Sequence, residues 1–288
     1  MKYTIRDFNK VFKTEIDCLE YVFKYRYGYN YPCPDCGNKT WYKIEGRKVW
    51  SCGKCRYQIH PLAGTIFHKS DTPLKLWFFA IYKFANSRNG VSAKELERDL
   101  GTTYKTAWRI AKQIRQLFEM DDFKVNGIVE VDESYMERTT KYNSKSETPK
   151  ALAIVQRGGG AKAVVIRKAG LVNVIPLIRN EVETGSSLMT DSAPLYGSHK
   201  LSDYNHNSVN HSKGEYVSGL VHTNSVDGFF SQIKRSISGT YHQVSEKYSQ
   251  SYLDEFSWRL THGRSGIPLF LLMMKRICRL QGEEAEKI

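Results

Sequence analysis

The sequence predicts a multidomain α+β chain: a cysteine-rich module, then a helical module, then a domain whose strands give way to helices. Three observations carry this. Two CxxC pairs fall within residues 31–60. Apolar residues recur at helical spacing from Pro73 to Phe118. After Asp121-Asp122 the pattern changes to short β-like runs, and helices dominate again from about Val226. Blocks of helix and strand in succession point to separate domains, the last of α/β type. The boundaries expected are 1–70, 71–120 and 121–288.

Residues 1–30 read as a short helical lead-in, with Phe8, Val11, Phe12, Ile16, Leu19, Tyr21 and Val22 only roughly periodic. Cys33-Pro-Asp-Cys36 and Cys52-Gly-Lys-Cys55 are two knuckles separated by 15 residues. That spacing fits a four-thiolate zinc site, because a two-residue gap lets both sulfurs of a knuckle reach one tetrahedral ion. Such a site is closed, so its role is structural. Trp41, Tyr42, Val49 and Trp50 form the hairpin between the knuckles. Cys18 and Cys278 have no partner at ligand spacing and read as core residues. With four thiolates present, neither His60 nor His68 is needed as a ligand.

Pro73 suits a helix start, and Leu74, Trp77, Phe78 and Ile81 share one face. Ser92 and Glu95 have the spacing of a capping box for a second helix. Gly101-Thr-Thr turns the chain into a third, from about Tyr104 to Phe118. Two helices around a tight turn match a helix-turn-helix, whose second helix leads into the DNA major groove. Thr102, Thr103, Tyr104, Lys105 and Arg109 then face DNA, while Ala107, Trp108, Ala111 and Ile114 face the core. An ordinary three-helix bundle with a basic face is the plainer reading of the same pattern.

Charge favours the nucleic-acid reading. The net charge is +13 over 288 residues, and residues 1–120 carry 22 Lys/Arg against 11 Asp/Glu. A basic half joined to a nearly neutral half fits a polyanion reader attached to a module that keeps its own acids. With 41% apolar residues, global disorder is excluded. The longest apolar run, Ile267 to Met274, is too short to span a bilayer, and the start lacks an apolar signal region. The chain is therefore expected in the cytoplasm, nucleoid-associated when on DNA, with no membrane partner.

In the last domain, Gly127–Tyr135, Ala151–Gln156 and Ala163–Arg167 read as strands, the last two flanking a hairpin turn at Arg157-Gly-Gly-Gly160. Val172–Leu177 and Ser187–Thr190 read as further strands, and Lys141–Lys150 as a mobile loop. Three aspartates stand out. Asp132 lies in an apolar strand, Asp191 ends Leu188-Met-Thr, and Asp227 opens a helical run, with 35 residues between Asp191 and Asp227. Spaced carboxylates on a β-rich scaffold suit two Mg²⁺ ions, which prefer hard oxygen ligands and can serve both oxygens of a phosphodiester exchange. Lys234 follows two helical turns after Asp227 on the same face, placed with Arg235 to contact DNA phosphate. Any one of these aspartates alone reads equally well as a cap. Glu133, Glu137 and Asp203 are lesser candidates, and His222 is either a substrate-positioning or a surface residue.

Together the segments CPDCG, AGTIFHKSDTPLKLWFFAIY, the helix-turn-helix, VDES, TDSAPLY and HTNSVDGFFSQIKRSISGTYHQVSEKY–YLDEFSWR span most of residues 30–262. The chain resembles a bacterial insertion-sequence transposase of the DDE class, with an N-terminal zinc ribbon and an ISXO2-like catalytic domain. The resemblance implies an RNase H-like α/β catalytic domain and two catalytic Mg²⁺ ions, with Mn²⁺ as a substitute. It also implies binding of terminal inverted repeats, cutting and joining of transposon ends into target DNA, and at least a homodimer on DNA. Catalytic roles carry over to Asp132 and Asp191. The family usually has glutamate where this chain has Asp227, and some members use the asparagine at Asn224. The shorter Asp227 leaves a second reading open, a decayed or domesticated transposase that binds DNA without cutting it. A nuclease that cuts without joining is a third.

Overall fold

The computed structural model describes residues 3–119, 123–136, 150–166, 171–209, 217, 219–242 and 244–278. Of the loop expected at Lys141–Lys150, residues 141–149 lie outside them, as do Asp121-Asp122, Glu137 and the acidic tail, whereas Lys150 begins a strand. Contacts divide the chain into two units. One runs up to Ser87, adds Ala93–Leu117, and resumes from Ile267; the other is Arg88–Ser92 with Phe118–Gly266. The stretch from Ile267, placed by sequence with the last domain, thus packs with the segments before it.

In the first unit the lead-in is two helices, α1 (Ile5–Val11) and α2 (Glu15–Tyr27), each started by a capping box. Thr4 pairs with Asp7 and Thr14 with Asp17, each hydroxyl accepting from the N3 backbone N–H while the N3 carboxylate accepts from the cap N–H. The chain then forms a small antiparallel sheet of β1 (Trp41–Lys43), β2 (Trp50–Cys52) and β3 (Gln58–Ile59). Trp50 stacks on Phe23 of α2 with ring centroids 4.3 Å apart, which ties the sheet to the helix.

Helix α3 (Leu74–Asn86) buries Leu74, Trp77, Phe78 and Ile81, the predicted face. Pro73 supplies no capping hydrogen bond; instead Glu15 of α2 accepts from Leu74 N (2.8 Å) and Lys75 N (3.1 Å). Helices α4 (Ala93–Leu100) and α5 (Tyr104–Gln116) follow. Gly101 sits at φ 61° in the turn between them, a conformation only glycine adopts freely. Lys83 of α3 holds α4 through Glu95 (2.6 Å) and Asp99 (2.8 Å).

The second unit is a mixed helix-and-sheet layer structure, the RNase H-like α/β domain expected. Strands β4 (Ile128–Tyr135), β5 (Lys150–Gln156) and β6 (Ala161–Ile166) form an antiparallel meander, and Gly158 at φ 72° turns the β5–β6 hairpin. Strands β7 (Ser187–Asp191) and β8 (Asn205–Val209) add in parallel on the other side of β4. The order across the sheet is β6-β5-β4-β7-β8. One correction falls here: Val172–Leu177 is not a strand but part of α6 (Leu171–Glu181), with Pro176 inside it. Val174 and Ile178 lie four apart and bury against one face of the sheet, so packing overrides β-branched propensity. That core also holds Val129, Val131, Leu152, Ile154 and Leu188. The opposite face carries α7 (Asn224–Ser236) and α8 (Ser249–His262), packed on Ala151, Ala153 and Val155. In the first unit, α9 (Leu269–Cys278) closes the described chain. No helix of the described residues is long and apolar enough to cross a membrane.

Candidate functional site

The two knuckles bring four thiols together. Cys33 Sγ lies 3.5 Å from Cys55 Sγ, Cys36 Sγ lies 3.6 Å from Cys52 Sγ, and all four lie within 4.8 Å of one another. A tetrahedral zinc with about 2.3 Å bonds separates its sulfurs by about 3.8 Å, so the set fits one ion. Burial opposes ionisation of Cys52, but N–H groups of Cys55, Lys54 and the Asn38 side chain outweigh it and bring the thiol down to about 6. The donors from Lys54 and Asn38 stand 3.5 and 3.6 Å from its sulfur. His60 and His68 are exposed and take no part. Cys18 and Cys278 are buried, and burial pushes each thiol up to about 12, as befits inert core cysteines.

The residues expected to face DNA fall into two groups. Lys105 is exposed, and Tyr104 is exposed with the Lys94 ammonium 4.9 Å above its ring. Thr103 caps α5, its hydroxyl accepting from Thr106 N. The Thr102 hydroxyl is buried. Arg109 turns inward: Nη2 donates to Ser70 Oγ and Thr72 Oγ1, both at 3.2 Å, and the guanidinium lies 5.7 Å from the Trp77 ring. A guanidinium held this way is not free to reach a base edge. Of the four residues expected in the core, Ala107, Ala111 and Ile114 are fully buried and Trp108 is half-buried.

The acidic residues meet on one face of the larger sheet. Asp132 pairs with Ala153 of β5, which belongs to the core under α7 and α8. Strands β4 and β7 run parallel with Ile128 opposite Ser187 and Glu130 opposite Met189. Two residues further along this register, Asp132 falls beside Asp191 on the same face. Asp227 comes from the first turn of α7 on that face, its Oδ2 accepting from Thr223 Oγ1 at 3.1 Å. Burial, then the charges of Asp227, Glu133 and Asp191, push Asp132 up to about 7, against a backbone hydrogen bond that lowers it. Among the described residues none of the three aspartates has an ion-pair partner, and only the cysteines bring three or more ligand atoms within 4.8 Å of one another. The carboxylates therefore lie near one another without converging on a single point. Asn224, the first residue of α7, is exposed; Lys234 is half-buried and Arg235 exposed two turns along.

The lesser candidates lie elsewhere. Glu133 points to the opposite face, where burial raises its carboxyl and the neighbouring Tyr196 hydroxyl partly offsets that rise. Asp203 pairs with Arg179 at 3.3 Å.

Sequence reasoning passed over Glu130 and Arg157. Glu130 is fully buried on the Asp132 face. Its Oε2 accepts from Ser225 N (2.6 Å) and Val226 N (3.0 Å); its Oε1 accepts from Ser225 Oγ (3.0 Å) and Arg157 Nε (2.5 Å). Arg157 also donates to the carbonyls of Leu220 (2.8 Å) and His222 (3.0 Å). His222 Nδ1 stands 3.0 Å from Arg157 Nη2, so the histidine belongs to this network. The signal was present in Val129-Glu-Val-Asp132: alternation puts Glu130 on the same face as Asp132.

Known proteins agree with this architecture. The family description "ISXO2-like transposase domain" matches residues 124–261, and "Transposase zinc-ribbon domain" matches residues 13–58. A Halobacterium salinarum protein described as "Uncharacterized protein in transposable element ISH50" is 24% identical over 273 residues, covering 87% of this chain and 92% of its own. A Haemophilus influenzae "Uncharacterized transposase-like protein" is 24% identical over 99 residues, 34% of this chain and 79% of that one. A chain of the "Mos1 transposase paired-end complex with left transposon end" overlaps 69% of this chain and 77% of its own at 11% identity, but its TM-score of 0.29 carries no weight. With a zinc ribbon of four close thiols ahead of an ISXO2-like domain, the chain belongs to the insertion-sequence transposases.

Proposed function

We propose that this transposase binds the terminal inverted repeats of its element and cuts and joins DNA with Asp132, Asp191 and Asp227 holding two Mg²⁺ ions. The observation that carries this reading is that the charges of Asp227 and Asp191 both raise Asp132, which lies two residues beyond the last β4–β7 pair, Glu130 with Met189. Carboxylates without cationic partners form a hard-oxygen donor set that fits Mg²⁺ or Mn²⁺. The ions supply Lewis acidity to both oxygens of an in-line displacement at phosphorus. In the first step a water oxygen bonds to phosphorus and the 3′-oxygen leaves with a proton. In the second that 3′-hydroxyl loses its proton, bonds to a target phosphorus, and displaces the target's own 3′-oxygen.

The remaining residues position DNA. Asn224 offers an amide at the start of α7. Lys234 lies about 10 Å along the helix from Asp227 on the same side, and with Arg235 contacts phosphate. The α4–α5 pair acts as a helix-turn-helix, with Thr102, Thr103, Tyr104 and Lys105 leading. Two ends must be held at once, so the working form on DNA is a homodimer or larger.

The test is Mg²⁺-dependent cleavage and strand transfer on labelled DNA carrying the element's flanking repeats, comparing the intact protein with Asp132→Ala. Cutting and joining by the intact protein alone supports the reading. Binding without cutting overturns the catalytic part and favours a DNA-binding relic; joining by Asp132→Ala overturns the residue assignment.

A further inference from the structure

The first turn of α7 carries Asn224 and Asp227, yet nothing within the helix fixes where that turn stands. Its preceding residue, Thr223, gives no capping hydrogen bond to the helix N–H groups. The acceptor comes instead from the sheet. Glu130 takes the Ser225 and Val226 N–H groups on one oxygen and the Ser225 hydroxyl on the other. Its charge suits a helix N-terminus, and Arg157 balances it in a site where Glu130 has no exposed surface. Arg157 is itself fixed, because its backbone N–H donates to Ile128 O at 2.9 Å. Its guanidinium also holds the carbonyls of Leu220 and His222, the strap that leads into α7.

We propose that Glu130, with Arg157, is a positioning pair that clamps the first turn of α7 and so sets where Asn224 and Asp227 stand relative to Asp132. Glu130 and Asp132 are alternate residues of one strand, about 7 Å apart along it. Val226 and Asp227 are adjacent in one helix, about 1.5 Å apart along its axis. The clamp therefore links the two carboxylate-bearing elements directly, and a displacement of the turn moves Asp227 with it. Misplacement by about 1 Å can cost about 10²-fold in rate. The inference rests on the metal-site reading of Asp132, Asp191 and Asp227.

The experiment uses the full-length protein and separates positioning from stability. Removing one member of a buried pair destabilises strongly, whereas replacing both with apolar residues is often neutral. The decisive variant is Glu130→Met with Arg157→Met, measured beside Arg157→Met alone. Three quantities are read: the thermal midpoint, amide exchange at Ser225 and Val226 in metal-free protein, and Mn²⁺ affinity, with Asp132→Ala defining the site's own contribution. The double variant is expected to keep its thermal midpoint better than the single one. It should still lose protection at Ser225 and Val226 while β4 and β5 remain protected. Its Mn²⁺ affinity should fall by about 10–100-fold, the usual effect of losing partners that orient a ligand. Unchanged protection and Mn²⁺ affinity in the double variant would overturn the clamp. If Asp132→Ala binds Mn²⁺ as well as the parent does, the metal-site reading fails, and with it the functional part of the proposal; amide exchange still decides separately whether the clamp exists.

Discussion

Asp227 is one methylene shorter than the glutamate that the resemblance to DDE transposases implies at this position, and one methylene moves the carboxyl by about a bond length. Asp227 is exposed in the first turn of α7, so a longer side chain has room there. Asp227→Glu should raise Mg²⁺-dependent cleavage, by up to about 10²-fold if reach alone limits it; an unchanged or lower rate would show that aspartate is the adapted residue. Asp132 gives a prediction with a definite sign. Burial above all holds its carboxyl at about 7 in the folded protein, well above the ordinary aspartate range. Proton binding therefore favours the folded state. That stabilisation is complete below the unfolded pKa and is lost as pH rises through about 7. In metal-free protein, Asp132→Asn should raise the thermal midpoint at about pH 8, with the gain shrinking toward about pH 5. A gain that is constant with pH would mean that Asp132 does not titrate in this range.

Among the elements, α5 separates two roles that its sequence does not distinguish. Lys105 is exposed at its start, whereas Arg109, one turn on, donates to Ser70 and Thr72. Lys105→Ala should weaken DNA binding at every sequence and lower the salt slope by about one. Arg109→Ala should instead cost about 0.5–1.5 kcal/mol of stability through the lost hydrogen bonds to Ser70 and Thr72; equal losses of DNA affinity without a stability change would refute the division. This shows where sequence is legible and where it is not. The zinc ribbon, α3, α5 and the β5–β6 hairpin announce themselves through ligand spacing, helical periodicity and turn residues. Strand β8 does not, because Asn205-His-Asn-Ser-Val209 is a polar edge strand that owes its place to pairing with β7. Helix α6 reads as a strand because its β-branched residues and Pro176 outweigh a short apolar stripe. Within the site, the aspartates were visible as acids at the ends of elements. The Glu130–Arg157 pair was not, since its partners are 27 residues apart and depend on a fold that sequence spacing does not encode.

On the scale of the whole molecule, the chain leaves its first unit, builds the second, and returns. The return segment is α9, which buries Phe270, Met273, Met274 and Ile277. Phe270 packs against Tyr3 at 4.7 Å, Phe12 at 5.8 Å and Phe8 at 6.1 Å between ring centroids, so α9 completes the core that α1 begins. Arg276 also donates to the carbonyl of Leu117, just after α5, at 2.5 Å. Each large apolar side chain contributes about 1.5–3 kcal/mol when buried, and a domain's net stability is about 5–15 kcal/mol. Loss of these four side chains is therefore comparable with the whole margin. A chain ending at Gly266 keeps every residue assigned to zinc, DNA and catalysis, yet should lose end-DNA binding through collapse of its first unit. The measurement is DNA affinity together with the thermal transition of the truncated and intact chains. Wild-type affinity and a wild-type transition in the truncated chain would show that α1–α5 form a self-sufficient core. Loss of both would establish that the DNA reader depends on a helix more than 150 residues further along the chain than α5.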